Sequence, residues 1–340
     1  MSLTPAATIT LGNLRYTEQA AALAVTLTML PGVNTFTVTL PTRVRLDAAS
    51  DDEGVLELDG GEGAETIMTG KVRSFRRGLL ATDVAVGDAG VELARLRPSV
   101  TYERQSAKDV IRGLADTAAV SVDTIDIDLP LAAYVAHQNR TSAEHIAYLA
   151  RLGGGVACVN GDGKLRVVAW PESQPEQALR YGREVIEYEV LDHPGPTVQH
   201  LVIGHGVAGS GDAPNALRPS LDPLPSDAPA PGKDAVWRPA AVLRTPKAAA
   251  TASAAADNAA ATRAQRVRAR CFLLPKLRPG VVIEIQDLPH NLLSTWLLTR
   301  VTHRLQPGSG GMTAFEGVSG EGGGLGGLLA AALGALGSVL

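Results

Sequence analysis

Polar and apolar residues alternate along much of the first hundred positions. In the segment NTFTVTLP, Phe36, Val38 and Leu40 fall on one face of an extended strand and the intervening threonines on the other. The segment ATITLGNL alternates similarly, and acidic, glycine-rich turns such as DGGEG separate the strands that follow. Short strands with regularly spaced turn signals predict a β-barrel or a β-sandwich. The stretch LLATDVAVGDAGVELAR predicts a last hairpin that turns around Gly87 to Gly90.

After Pro98 the spacing of the apolar residues lengthens from that of a strand to that of a helix, and the first of two amphipathic helices is predicted there. In RQSAKDVIRGLADTA, Ser106 is placed to cap this helix. Val110, Ile111 and Leu114 form its apolar stripe. The following segment, VSVDTIDIDLPLAAYVA, alternates again and is expected to be extended.

A second helix and a hairpin complete this part of the chain. The helix RTSAEHIAYLARLGG is expected to begin at Thr141 or Ser142 and to end at Gly153. Asn160 to Gly163 supply the turn residues of a hairpin in GVACVNGDGKLRVVAW. The block 98–170 therefore reads as a small α/β unit.

The last part of the chain combines extended segments with one alanine-rich helix. EVIEYEVLD and PTVQHLVIGHG read as strands, while the segment 211–240 is rich in proline, glycine and serine and predicts an exposed loop. Alanine is the best helix former, so TPKAAATASAAADNAAATRAQRVRAR predicts a helix from 248 to 266. WLLTRVTHRLQPGSGGMTAFEGV predicts a closing hairpin.

The composition is that of a globular protein without a general affinity for nucleic acid. Apolar residues make up 45% of the 340 positions and charged residues 19%, which suits packed domains. The net charge of −4 and the aromatic content of 4% give no sign of phosphate-backbone or base-stacking contacts. Cys158 and Cys271 lie far apart and lack CxxC spacing, so two buried, reduced thiols are expected rather than a disulfide framework or a zinc site.

The two ends of the sequence suggest where the protein is made and what it contacts. MSLTPAATITLGNL lacks the basic region and apolar core of a secretory signal, so we expect synthesis in the cytoplasm. The segment 322–340, GGGLGGLLAAALGALGSVL, carries no charge and approaches the length of a membrane span. Its many glycines and its lack of flanking basic residues favour an apolar tail that docks on a protein partner.

A search for catalytic, cofactor and metal motifs leads us to expect none. GHGVAG matches the dinucleotide fingerprint, but the residues after it cannot begin the helix that this site requires. His200 and His205 fall on opposite faces of one strand, which does not suit shared metal binding. Asp126 and Asp128 share a face but lack the glycine and glutamate of a calcium loop, so a solvated acidic edge is expected.

His303 is the remaining candidate for chemistry. It shares a strand face with Leu297, Val301 and Leu305. No serine, cysteine or carboxylate motif stands near it in the sequence. We therefore expect a core histidine that is hydrogen-bonded to backbone rather than a catalytic base.

The order of these segments resembles the baseplate hub proteins of contractile tails, the phage late control D family. This family is also related to the N-terminal part of type VI secretion spike proteins. The matching elements of the closing region are Pro279-Gly280, Val301-Thr302-His303, Gly310-Gly311 and Thr313 to Phe315. The helix, helix and hairpin of the middle block resemble the family as well, and the likeness covers roughly residues 5 to 318.

The resemblance implies an α+β, mainly β fold with two tube-like β-barrels. A small α/β domain is inserted between strands of the first barrel. The implied parts are a first barrel at 1–97 that is completed by about 180–210, the insertion at 98–170, the loop at 211–240, a second barrel at 241–320 that contains the helix 248–266, and the apolar tail at 321–340. An internal echo between TGKVRSFRRGLLATDV and LTRVTHRLQPGSGGMTAF agrees with a repeated barrel.

The resemblance also implies a structural role without an active site. A homotrimer of two-barrel subunits presents six similar units to a six-fold tail tube and keeps three-fold symmetry for a spike. The implied partners are the tail tube protein, a separate spike protein and other baseplate proteins, within a virion tail or a contractile injection particle. Family spike proteins continue into a β-helix that is not present in this sequence, which is why a separate spike is expected.

The apolar tail supplies the candidate docking residues, which are expected to contact that spike or to line the channel of the trimer. These are its leucines, Leu325, Leu328, Leu329, Leu333 and Leu336. Two alternatives stay open at the level of sequence. One is a tail-associated cell-wall hydrolase, and the other is a membrane-tethered binding module that uses the tail as its anchor.

Overall fold

The computed structural model describes residues 6–170, 175–194, 196–207, 219–224, 234–289, 293–306 and 310–320. Its first part contains seven strands and a short helix. They are β1 (Ala6–Leu11), β2 (Leu14–Tyr16), β3 (Ala22–Thr28), β4 (Thr35–Pro41), β5 (Glu53–Asp59), β6 (Ala64–Arg77), β7 (Ala81–Asp88) and α1 (Gly90–Arg95). The hairpin predicted around Gly87 to Gly90 is wrong, because β7 runs directly into α1 there.

The middle part contains two helices and five short strands. They are β8 (Val100–Ser106), α2 (Ala107–Thr117), β9 (Val122–Ile125), β10 (Pro130–Ala136), α3 (Ser142–Leu152), β11 (Gly155–Val159) and β12 (Leu165–Ala169). Both helices begin with a capping box, formed by Ser106 with Asp109 in α2 and by Thr141 with Glu144 in α3. The predicted helices and the hairpin between β11 and β12 are confirmed.

The last part contains nine strands and the alanine-rich helix. They are β13 (Gln177–Arg180), β14 (Val185–Asp192), β15 (Gln199–Val207), β16 (Pro219–Leu224), β17 (Ala235–Pro239), α4 (Pro246–Thr262), β18 (Gln265–Phe272), β19 (Val282–Gln286), β20 (Thr295–Gln306) and β21 (Gly310–Ser319). The described residues of the predicted loop 211–240 thus include two strands. They pair with β15, one on each side.

One sheet of 13 strands organises the molecule, and its fold class is α+β and mainly β, as predicted. The neighbour order runs β14-β18-β21-β20-β3-β4-β7-β6-β5-β1-β2, with β19 beside β20 and β13 beside β19. We call β1–β7 the first half and β13, β14 and β18–β21 the second half. The antiparallel pair of β20 and β3 joins the halves, with His303 opposite Val25.

The strands of the second half pair one after another around a closed ring. β13 pairs with β19, β19 with β20, β20 with β21, β21 with β18 and β18 with β14. A bridge between Tyr181 and Val185 then connects the end of β13 to the start of β14. The expectation that residues near 180–210 complete the first barrel is therefore wrong. The strands at 177–192 pair inside the second half, and β15 pairs with β16 and β17 instead.

The apolar core is divided into two large clusters. One cluster fills the space under both halves of the large sheet, with Phe36, Trp296 and Phe315 among its buried side chains. The other joins α1, α2 and α3 to β15 and α4 through residues such as Val202 and Ala252. The alanine-rich helix therefore belongs to the α/β part and not, as predicted, to the second barrel.

Helix α4 also ends four residues earlier than the predicted limit of 266. Its last residue is Thr262, and β18 begins at Gln265. In β18, Val267, Ala269 and Cys271 point into the core, and the arginines between them point outward. This alternation with period two is a strand pattern that the good helix propensity of alanine and arginine conceals.

Candidate assembly surfaces

The apolar tail predicted to dock on a partner cannot be placed in the fold. Leu325, Leu328, Leu329, Leu333 and Leu336 all lie outside the described residues. In the parts of the chain that the structure does describe, no helix has both the length and the apolar character needed to cross a bilayer. The docking role of the five leucines stays a prediction.

His303 lies in the core, as predicted, with the Thr313 side chain and the Leu277 backbone as its partners. The imidazole is fully buried, and its Nδ1 lies 2.8 Å from the hydroxyl oxygen of Thr313. That oxygen also accepts a hydrogen bond from the Leu274 N–H at 3.0 Å. Burial, helped by the nearby Arg278 guanidinium, lowers the pKa of His303 to about 3. The imidazole is thus neutral and enclosed, which suits a structural role.

The two cysteines are free and buried, in agreement with the prediction of two reduced thiols. Burial raises the pKa of Cys158 to about 11 and that of Cys271 to about 12. A thiol with so high a pKa is a poor nucleophile at neutral pH, because the thiolate is the reactive form.

The remaining sequence candidates do not come together in a site. Asp126 and Asp128 are both exposed on either side of buried Ile127, as expected for an acidic edge. His200 and His205 lie in the same strand, β15, five residues apart. Across the described ranges, no group of three or more histidine, cysteine or acidic residues has an arrangement that could hold a metal ion.

A charged face covers the outside of the second half. Its members on four neighbouring strands are Glu187, Glu189, Arg266, Arg268, Arg270, Arg300 and Glu316. Arg270 lies 2.7 Å from Glu187, and Arg268 lies 3.6 Å from Glu316. Because these pairs are exposed, each contributes little to stability. A surface with ordered charges of both signs can instead select a partner of complementary pattern.

Strand β14 borders this charged face and ends the large sheet. Ile186 and Leu191 on this strand are more than two-fifths exposed. The described residues of β14 pair along their length with β18, so the opposite edge beyond the bridge at Val185 offers unpaired backbone groups. An edge strand with exposed apolar side chains is a common docking site for another chain.

The turn between β6 and β7 exposes two adjacent leucines. Leu79 is 96% exposed and Leu80 is 85% exposed. Both leucines follow the basic segment RRG, which the internal echo places as a turn between two strands. The glycine of this segment puts the turn at 78 and leaves the leucines at its tip.

A cleft of about 830 Å³ lies where the two halves meet at the other end of β6. Its walls are the β5–β6 turn, strand β13 and the segments 272–276 and 310–312. The turn approaches closely, because a Cβ atom on Gly60 would lie 2.7 Å from the Leu273 carbonyl oxygen. Lys276 spans the gap to Glu62 at 2.9 Å. Sequence reasoning gave no signal for this cleft, since its walls come from distant segments.

Comparisons with known proteins identify the fold. No family model and no curated protein matches the chain. A tail protein from Neisseria meningitidis has a similar solved structure, with a TM-score of 0.70 and 13% identity over 93% of this chain and 96% of that one. A 43 kDa tail protein of prophage MuSo2 from Shewanella oneidensis matches with a TM-score of 0.67 and 12% identity over 93% and 99% of the two chains.

A third similar structure is a component of the type VI secretion system from Escherichia coli. Its TM-score is 0.61, with 9% identity over 92% of this chain and 78% of that chain. At such low identity the likeness establishes the fold alone. The chain has the mainly β architecture that these tail and secretion proteins share.

Proposed function

We propose that this protein is the structural hub of the baseplate in a contractile injection machine. The observation that carries the proposal is the joining of two β halves into one sheet through β3 and β20. The echo noted in the sequence falls on the hairpins β6–β7 and β20–β21, one in each half. The fold shared with phage tail and type VI secretion proteins supports this role.

The proposed mechanism is the adaptation of one symmetry to another. In a homotrimer, the two halves of three subunits present six similar units to a six-fold tail tube. The same trimer keeps its three-fold axis for a spike. No chemical turnover is required. The alternative function as a hydrolase would need an accessible base, and His303 is buried.

The exposed surfaces supply contacts for such an assembly. The charged face of the second half is suited to the complementary surface of another tail component, such as the tube protein or a further baseplate protein. The open edge of β14 is suited to lateral contact with a neighbouring chain.

The leucines of the apolar tail are proposed to dock with the spike protein. The test is deletion of residues 322–340, followed by co-purification with the tube and spike proteins of the same machine. We expect spike capture to fall at least tenfold while the solution mass of the hub stays that of the undeleted assembly. A variant with Leu325, Leu328, Leu329, Leu333 and Leu336 all changed to serine keeps the tail length and serves as the matched comparison.

Two results would count against this part of the proposal. Equal spike capture by the full chain and the deletion would remove the role of the tail. Failure of the full chain to bind either the tube or the spike would remove the hub role itself.

A further inference from the structure

The turn between β6 and β7 holds its two leucines outward on a fixed backbone. The Gly78 N–H donates to the Ala81 carbonyl at 2.8 Å, which closes the turn. The Thr42 N–H donates to the Leu80 carbonyl at 3.0 Å, and the Thr42 hydroxyl donates to the Leu79 carbonyl at 3.1 Å. These bonds anchor the main chain while both side chains face solvent. We call residues 76–80 the leucine tip.

The leucine tip combines apolar and cationic character. Arg76 and Arg77 precede the leucines, and the Arg77 guanidinium lies 5.0 Å from the centre of the Phe75 ring. Single exposed apolar residues are common on protein surfaces, but two adjacent leucines with nearly full exposure form an unusual feature. A partner surface for this tip must therefore be concave, apolar and bordered by negative charge.

The cleft between the halves has these properties. Its volume of about 830 Å³ lies within the range of about 300–1,000 Å³ that is usual for binding clefts. Phe272 in its wall is 57% exposed, and Leu274 and Met312 add further apolar surface. Its charged residues are Glu62, Glu65, Glu184, Arg183 and Lys276, a net charge of −1, and Lys276 pairs with Glu62 and Arg183 with Glu184.

The leucine tip cannot reach the cleft of its own chain. Strand β6 begins at Ala64, next to the cleft, and ends at Arg77, next to the tip. Its 14 residues span roughly 40 Å at about 3.3 Å per residue. The tip and the cleft therefore lie at opposite ends of one strand, so a tip that occupies the cleft must come from another copy.

We infer that the leucine tip of one copy inserts into the cleft of a second copy. Such a contact is heterologous, because each copy uses its tip on one side and its cleft on the other, and contacts of this type close into rings when the rotation between copies permits. The inference rests on the proposed function, since it assigns the subunit contact of the hub trimer. In that trimer, Leu79 and Leu80 serve as the buried anchor of a wider interface.

The test is cross-linking between two different cysteine variants. One variant carries Leu79→Cys at the tip and the other carries Ala178→Cys at an exposed position in the cleft. The native Cys158 and Cys271 are buried and do not compete. After mixing and mild oxidation, we expect at least ten times more disulfide-linked pair than from Leu79→Cys mixed with Val135→Cys. Val135 is 57% exposed and lies on β10, away from the cleft.

A serine double variant gives an independent readout that does not depend on cysteine chemistry. Leu79→Ser with Leu80→Ser is expected to weaken self-association at least tenfold, as measured by the concentration dependence of the solution mass. Val100→Ser with Val135→Ser removes two other exposed apolar side chains and is expected to leave association unchanged.

The outcomes separate this inference from the hub proposal. If the unmodified chain forms trimers but cross-linking equals the control and the serine tip variant stays trimeric, the tip contact is overturned and the hub role stands. If the unmodified chain shows neither self-association nor cross-linking at any concentration, with or without the spike protein, both are overturned.

Discussion

At the scale of single residues, two buried titratable side chains have opposite effects on how stability changes with pH. His303 is buried in its neutral form in the second half. Asp88 is buried at the end of β7, where burial raises the pKa of its carboxyl to about 7. A lowered histidine pKa reduces the stability of the fold in acid, whereas a raised carboxyl pKa reduces it at neutral and basic pH.

Lowering the pH through the window from about 6.5 to about 3 is expected to destabilise the protein through His303. The unfolded imidazole takes up a proton near its ordinary pKa of about 6.5, while the folded one stays neutral down to about 3, so protons favour unfolding between these values. The His303→Gln variant should show a shallower fall of unfolding free energy, by about 3 kcal/mol between pH 7 and pH 4. Denaturant titrations at pH 4 and pH 7 measure the difference.

The control for this measurement is His193→Gln, which changes an exposed histidine. It should retain the full pH dependence of the unmodified protein. The account of His303 fails if both variants lose stability with acid to the same extent.

Asp88 is expected to give the opposite trend. Its Oδ1 accepts from the Gly90 N–H at 2.9 Å, while its Oδ2 has no hydrogen-bond partner among the described residues. Because the folded pKa is raised, stability from this group is present below about pH 4 and is lost as the pH rises through about 7. The stability of Asp88→Asn relative to the unmodified chain should therefore rise by about 2 kcal/mol between pH 5 and pH 8.

The same denaturant titrations on Asp128→Asn provide the comparison for Asp88, because Asp128 is exposed. That variant should differ little from the unmodified chain at either pH. A constant difference between Asp88→Asn and the unmodified chain across this range would show that Asp88 is not buried as described.

At the scale of elements, helix α4 is held on β15 by small side chains and by hydrogen bonds that involve Ser253 and Asp257. The Val202 N–H donates to the Ser253 hydroxyl at 2.7 Å, and the His200 N–H donates to an Asp257 carboxylate oxygen at 2.8 Å. Ala252, next to Ser253, is buried. The alanine-rich face thus permits a close approach of helix and strand that larger residues would prevent.

Enlarging this face is expected to destabilise the α/β part. Ala252→Leu adds volume to a filled position and should lower the unfolding free energy by roughly 1–3 kcal/mol. Ala254→Leu makes the same change at an exposed position of the same helix and should have little effect. Thermal unfolding monitored by circular dichroism compares the two variants, and equal melting temperatures would contradict the packing of α4 on β15.

The sequence predicted elements well where their signals are local. The caps at Ser106 and Thr141 act within three residues, and both helices were located from them. Strands β16 and β17 were missed, because their pairing with β15 is distant in sequence and their proline content reads as loop. The end of α4 was missed because alanine and arginine favour helix, although tertiary pairing with β14 and β21 makes 265–272 a strand.

The same distinction between local sequence signals and distant contacts applies to the candidate surfaces. The buried position of His303 follows from strand alternation and was predicted. The turn that carries Leu79 and Leu80 matches the basic turn of the internal echo, whereas the further turn predicted around Gly87 to Gly90 is the start of α1. The cleft depends on the meeting of segments 60–65, 177–184 and 272–276, and no local pattern reports such a meeting.

At the scale of the whole molecule, the two halves act as one body because they share a core and close backbone contacts. Side chains from both halves belong to a single apolar cluster. A Cβ atom on Gly161 would lie 2.5 Å from the Thr66 carbonyl oxygen, so the β11–β12 turn also rests directly on β6. The Arg278 guanidinium donates to the same carbonyl at 2.8 Å. A subunit of this kind can present its halves at a fixed spacing, which symmetry matching requires.

The solution mass of the full-length protein tests the central claim most directly. Sedimentation velocity and equilibrium runs over a range of concentrations, with and without the spike protein, determine it. The account predicts a species with a mass near three times 35.3 kDa, either alone or with three copies bound to the spike. A mass of 35.3 kDa at every concentration, unchanged by the spike, would contradict it.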